Sequence, residues 1–133
     1  MLNAKCKMQN AECGLYMKDN VIVEKSLDFA VRIVNLYKYL GKEHGEYVMS
    51  KQLLRCGTSI GANAAEAQRG QSKADFAAKM SIALKEANET EYWLKLLYRT
   101  EYLSKEQYES VYADIQELIS ILVAICRATN LKK

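Results

Sequence analysis

Apolar residues recur at intervals of three and four along four successive stretches of the chain, and polar punctuation separates each stretch from the next. That spacing predicts four helices. In the first, two apolar rows run side by side: Leu27, Ala30, Val34 and Tyr37, then Phe29, Ile33, Leu36 and Leu40. A stripe this wide suggests burial on two sides, against bundle partners and against another subunit. Asp19 or Asn20 can cap its start with a side-chain oxygen, Gly41 can end it, and GKEHGE reads as a polar loop. The second stretch, SKQLLRCGTSIGANAAEAQR from Ser50 to Arg69, sets Leu53, Gly57, Ile60, Ala64 and Ala67 on one face, with Leu54, Thr58, Gly61 and Ala65 beside it. The helix starts near Tyr47 or from a cap at Ser50, and Gly70 stops it. Glycine costs about 1 kcal/mol relative to alanine in a helix interior, so Gly57 and Gly61 predict neighbours that need the missing Cβ, with Ala64 on the same packing surface.

The third stretch opens at Ser72 with Asp75, a capping box in which Asp replaces the usual Glu or Gln. It carries Phe76, Met80, Ala83, Ala87, Leu94 and Leu97 to about Glu101, and at ~1.5 Å per residue it should be roughly 40 Å long. Ser104 and Gln107 form a second box, after which Tyr108, Val111, Ile115, Leu118, Leu122 and Ile125 keep the pattern to Asn130. Four long helices with short connections predict an all-α protein, an antiparallel up-down-up-down four-helix bundle over residues 19–130. Residues 1–18 read as a leader in which Leu2, Cys6 and Cys13 could share one helical face while Asn3, Asn10 and Gly14 weaken the case for a helix, with Met17 as a second candidate start; residues 131–133 are a basic tail.

Composition sharpens this picture without changing it. The 133 residues suit one domain with its own core, and the absence of proline favours helices over sheets. A net charge of +3 permits an anionic partner without demanding one. The opening MLNAKCKMQNAECG lacks the apolar run of a secretion signal, and the longest apolar stretch, Leu118 to Cys126, is broken by Ser120 and too short to cross a bilayer. A cytoplasmic protein with no membrane association is therefore expected. Cys6, Cys13, Cys56 and Cys126 include no CxxC pair, so reduced thiols are expected, with Cys56 and Cys126 as small core residues.

Two segments carry a family resemblance. SKQLLRCGTSIGANAAEA, from Ser50 to Ala67, and LSIALKEANETEYWLKLL, running through Leu97, resemble the four-helix-bundle proteins encoded by intervening sequences of bacterial 23S ribosomal RNA genes, also called S23-type ribosomal proteins. The opening of the first helix, from Glu24 to Leu40, is similar too. The resemblance covers about residues 20–130. It implies an antiparallel bundle and ring-shaped homo-oligomers, notably pentamers. One related group serves as the accessory variability protein of diversity-generating retroelements, where a basic ring associates with a reverse transcriptase and nucleic acid. The family name supports RNA association only weakly, because it records where a gene lies.

Catalytic chemistry finds little footing. His44 is the only histidine and has Gly41 three residues before it, so the Glu-x-x-His pairs of di-iron bundles are missing. Ser-His or Cys-His pairs would have to recruit this one loop residue, and Gly57, Gly61 and Lys51 do not match a phosphate loop. No catalytic residue, cofactor or metal site is expected. The heptad count puts Thr90 or Glu91 near the buried seam, and a carboxylate there needs a partner; Arg32 and Arg55 are candidates for Glu91. Lys51, Arg55, Arg69, Lys73 and Lys79 border the second and third helices as a candidate nucleic-acid face, though Glu66 and Asp75 interrupt them as on an ordinary solvated surface. Tyr98, Tyr102, Tyr108 and Tyr112 form two i, i+4 pairs suited more to packing than to base stacking, and Phe29, Ile33, Tyr92 and Trp93 are the candidate oligomer interface. The expected protein is a non-enzymatic homo-oligomeric scaffold, a pentamer, that contacts RNA, DNA or a nucleic-acid enzyme such as a reverse transcriptase; the alternative is a protein-binding adaptor without nucleic-acid affinity.

Overall fold

The computed structural model describes the backbone of residues 10–130 and the side chains from Asn20 to Asn130. Four helices account for almost all of it: α1 Asn10–His44, α2 Val48–Ala67, α3 Lys73–Arg99 and α4 Lys105–Asn130. Each packs on its neighbours in the chain, α4 closes back on α1, and α1 and α3 lie diagonally opposite, their backbones apart across the core. The chain is all-α, and the adjacent packing is that of an antiparallel up-down bundle.

The apolar rows meet in a single core. Leu53, Ile60, Ala83, Leu94, Ile115 and Leu122 are completely buried, all from the rows that the three- and four-residue spacing marks. Cys56 and Cys126 join them as free thiols, and burial pushes Cys56 up to about 11, so it stays protonated at neutral pH. Thr90 is the polar residue of this seam. Its Oγ donates to the Glu86 carbonyl at 2.8 Å, which satisfies it within its own helix.

The glycines of α2 lie against α1. A Cβ on Gly57 would sit 3.0 Å from both Cγ atoms of Ile33, and one on Gly61 would come 3.3 Å from the carbonyl oxygen of Ser26. Ala64 is fully buried on the same helix. Losing two Cβ atoms costs α2 intrinsic helix propensity and gains it a close approach to α1.

Two boundaries differ from the expected ones, and a third, found near Tyr47 as expected, is capped by a different residue. Helix α1 starts at Asn10, so Asp19 and Asn20 lie inside the helix, and the second half of the supposed leader is helical. Residues 1–9 and the 131–133 tail lie outside the described residues. At its other end α1 runs through Gly41 to His44, and the stop is Gly45 at φ +60°, whose N–H donates to the Gly41 carbonyl at 3.0 Å while Glu46 N–H donates to Leu40 at 3.1 Å. Gly41 has another use: the Tyr47 ring folds over it, and a Cβ there would come 2.5 Å from the ring. The third boundary is the start of α2. Neither Tyr47 nor Ser50 caps it with its side chain. The carboxylate of buried Glu46 instead accepts from the N–H groups of Val48, Met49 and Ser50 at 2.8, 2.9 and 2.8 Å. A carboxylate placed on three free donors at a helix N-terminus satisfies them and complements the dipole.

Both expected boxes are present in different degrees. Ser104 Oγ accepts from Gln107 N–H at 3.1 Å, and Gln107 returns the bond from Ser104 N–H at 2.8 Å. Ser72 accepts from Asp75 N–H at 3.1 Å.

Candidate functional site

The five basic residues along α2 and α3 divide into two groups. The Arg55 guanidinium lies 2.5 Å from Glu89 and 3.5 Å from Glu86, and Lys79 lies 3.0 Å from Glu66. Arg55 is held above its usual value mainly by its bond to Glu89, and Glu89 is held below the usual carboxylate range by that same bond, with a second from Trp93 Nε1 at 3.2 Å. These two cations therefore face a strip already neutralised by carboxylates on the neighbouring helix. Lys51, Arg69 and Lys73 are exposed and form no ion pair among the described residues.

Glu91 does not pair with either expected arginine. Arg55 is committed to Glu86 and Glu89, and Arg32 bonds Asp114 at 2.7 Å and Ser110 Oγ at 2.6 Å across the α1–α4 seam. Glu91 lies half-buried between α3 and α4, where it accepts from Tyr112 OH at 3.0 Å and from Gln116 Nε2, with Lys95 at 3.9 Å. The seam position goes to Thr90, one residue earlier, because α3 turns its small hydroxyl inward and leaves the longer carboxylate at the rim. That bond to Glu91 holds the Tyr112 phenol above its ordinary value.

The proposed interface residues also separate. Phe29 and Ile33 are core residues, 3% and 0% exposed, and cannot meet a partner. The exposed apolar side chains of α1 are Leu27, from the other row, at 63%, and Val31, from neither row, at 55%, while Ala30, Val34 and Tyr37 are half-buried. Periodicity shows two adjacent apolar rows but not which of them meets Gly57, and that contact decides. On α3, Tyr92 is 58% exposed and packs edge-on at 5.1 Å against half-buried Trp93. Ile82 adds another exposed apolar side chain to α3.

A third cluster contains the expected tyrosines of the α3–α4 turn, with Tyr98, Tyr108 and Tyr112 packed in series, and adds two rings from the end of α1. His44 is edge-on between Tyr39 and Tyr102, at 5.6 and 5.5 Å, and Tyr98 stacks on Tyr108 at 4.3 Å. The residues come from the end of α1 and from both sides of the α3–α4 turn, so only the fold assembles them. No group of three or more His, Cys, Asp or Glu side chains placed to hold a metal ion occurs among the described residues, and no helix among them is long and apolar enough to cross a membrane.

Comparison with known proteins gives one family. A crystal structure of a protein of unknown function from the S23 ribosomal protein family, from Bacteroides thetaiotaomicron VPI-5482, is 64% identical to this chain, with a TM-score of 0.81 over 83% of this chain and 98% of that one. None of the curated proteins compared with the chain matches it. The family model for the 23S rRNA-intervening sequence protein matches residues 18–124, which takes in most of α1, all of α2 and α3 and most of α4. With that span and that identity, the chain belongs to the 23S rRNA-intervening sequence protein family.

Proposed function

We propose that the protein is a non-enzymatic scaffold that assembles into a homo-oligomeric ring and presents its outer surface to nucleic acid or to a nucleic-acid enzyme. The observation that carries the reading is the placement of exposed apolar side chains on diagonally opposite helices. Leu27 and Val31 lie on α1, Ile82 and Tyr92 on α3, and the two helices stand diagonally across the bundle from each other. Two different patches on opposite sides suit head-to-tail contact, and head-to-tail contact closes rings when the rotation allows. The resemblance to S23-type proteins supplies the stoichiometry, a pentamer, and a reverse transcriptase as one class of enzyme partner.

Phosphate contact in this reading falls to Lys51, Arg69 and Lys73, repeated around the ring. The commitment of Arg55 and Lys79 to carboxylates favours the second reading, an adaptor that binds protein alone. Light scattering tests the assembly: the reading expects a pentamer that Leu27→Asp with Val31→Asp converts to a folded monomer, and a wild-type monomer at high concentration overturns it. Retention of RNA on filters across a salt series tests the partner. Binding that weakens with salt and is lost on removing the three cations supports nucleic acid; none at low salt leaves the adaptor.

A further inference from the structure

We propose that the cleft between the C-terminus of α1 and the α3–α4 turn binds an unpaired guanine base. The cleft is an open groove of about 600 Å³. Its aromatic wall comes from two distant stretches of the chain, the end of α1 and the α3–α4 turn with its flanks. Tyr39 and Tyr102 hold the His44 ring edge-on at interplanar angles of 73° and 84°. Tyr98 is fixed from behind by Tyr108, parallel to within 5°. These rings are half-buried and His44 is exposed, so they line the cleft rather than closing over it. Flat, partly exposed rings are what an unstacked base packs against.

The polar rim selects among flat ligands. Arg99 and Glu101 stand two residues apart on the lining, and neither forms an ion pair among the described residues. Gln107 spends its carbonyl oxygen on Ser104 N–H and keeps its amide hydrogens free for the cleft. One guanidinium and one carboxylate leave no net charge, which disfavours both a bare phosphate and a simple cation. They suit a neutral heterocycle that offers adjacent donors on one edge and adjacent acceptors on another. Guanine does so: its N1–H and N2–H₂ complement a carboxylate, and its O6 and N7 complement an arginine fork. Adenine has no paired-donor edge, and pyrimidines cover less of the aromatic wall.

The backbone fixes where this carboxylate starts. Glu101 holds φ +70° as the left-handed residue that stops α3, with its own N–H on the Tyr98 carbonyl at 3.1 Å and Tyr102 N–H on Leu97 at 2.9 Å, which holds it at the rim of the cleft.

The test is titration of guanosine, guanosine monophosphate and a single-stranded RNA with one guanine in a uridine background into the full chain, followed by the ring resonances of Tyr102 and His44. Saturable shifts with guanosine, at least tenfold weaker with adenosine and cytidine, are expected. Arg99→Gln and Glu101→Gln, both at exposed positions, should each weaken binding about tenfold, one bidentate contact's worth, with helical content unchanged. Equal affinity for guanosine and the RNA identifies a free nucleoside or nucleotide as the ligand; tighter binding of the RNA identifies an unpaired base in a strand. Equal response to all nucleosides, no shift at millimolar guanosine, or indifference to both substitutions overturns the assignment. Ring assembly and salt-dependent filter binding are separate readouts, so this cleft can fail while the scaffold reading stands, and the reverse.

Discussion

The α1–α2 and α3–α4 turns lie at the same end of the bundle and make the same reversal with different residues. The first stops α1 with Gly45 at φ +60° and starts α2 with the carboxylate of Glu46 on three N–H groups. The second stops α3 with Glu101 at φ +70°, where Tyr102 N–H reaches the Leu97 carbonyl at 2.9 Å and Glu101 N–H reaches Tyr98 at 3.1 Å, and starts α4 with the reciprocal Ser104–Gln107 pair. One turn has the relaxed stop and an unusual start; the other has the strained stop and an ordinary start. In both stops the left-handed residue and the one after it donate back to the helix. The left-handed position holds glycine in the first and glutamate in the second, so the second gives up some stability to keep a carboxylate beside the cleft.

The start of α2 is the point of greatest leverage. Glu46→Ala removes the acceptor of three hydrogen bonds at a site only 8% exposed, and should cost about 2 kcal/mol. The measurement is the urea midpoint at constant m-value. A cost as small as an ordinary surface change would mean that water replaces the carboxylate, and the two starts would then be equivalent. Gly45→Ala comes next. Nothing lies within 4 Å of a Cβ there, so its cost is conformational alone, about 1 kcal/mol.

The stop of α3 should respond in the opposite direction. Glu101→Gly relieves the left-handed strain and should stabilise the fold by about 0.5–1 kcal/mol in the same urea measurement. Gain of stability with loss of guanine response would assign the strain to binding. No gain would mean that the glutamate makes compensating contacts, and the contrast between the stops would vanish.

Helix number and order are legible in the sequence alone, because the three- and four-residue spacing marks all four helices. Ser104 with Gln107 marks a boundary as well, since both partners lie within one turn. Glu46 escapes such reading because its carboxylate reaches forward from just before the N-cap position, where sequence patterns look for Ser, Thr, Asp or Asn. Gly41 misleads because glycine marks close approach as well as helix ends, and here the Tyr47 ring supplies the approach. Ile33 goes to the core and Leu27 to the surface because two apolar rows about 110° apart, at 100° per residue, both look fit for burial until a neighbour chooses one. The ion pairs of Arg55 and the partners of Glu91 depend on how far each helix is rotated about its axis, a quantity that spacing alone does not carry. The His44 cleft joins two distant segments: the Tyr98 and Tyr102 pair is visible as an i, i+4 spacing, but only the fold brings Tyr39 and His44 to it.

The smallest effect concerns what lies beneath the α3–α4 turn. Tyr108, stacked on Tyr98, is held above its ordinary value of 10.0 mainly by burial, and Tyr112 above the same value mainly by its bond to Glu91. A group whose folded value is raised contributes stability that is complete below its unfolded value, and that stability is lost as pH rises through the folded one. Thermal stability should therefore hold to about pH 10 and then decline, with phenolate absorbance rising late for these two rings. Tyr112→Phe removes the Glu91 bond and should flatten part of that alkaline decline at a small cost to neutral stability, since Gln116 and Lys95 still serve the half-buried carboxylate. A decline as steep in Tyr112→Phe as in the parent would transfer the effect to Tyr108, whose ring is the one that ties α4 to Tyr98 and so to the wall of the cleft.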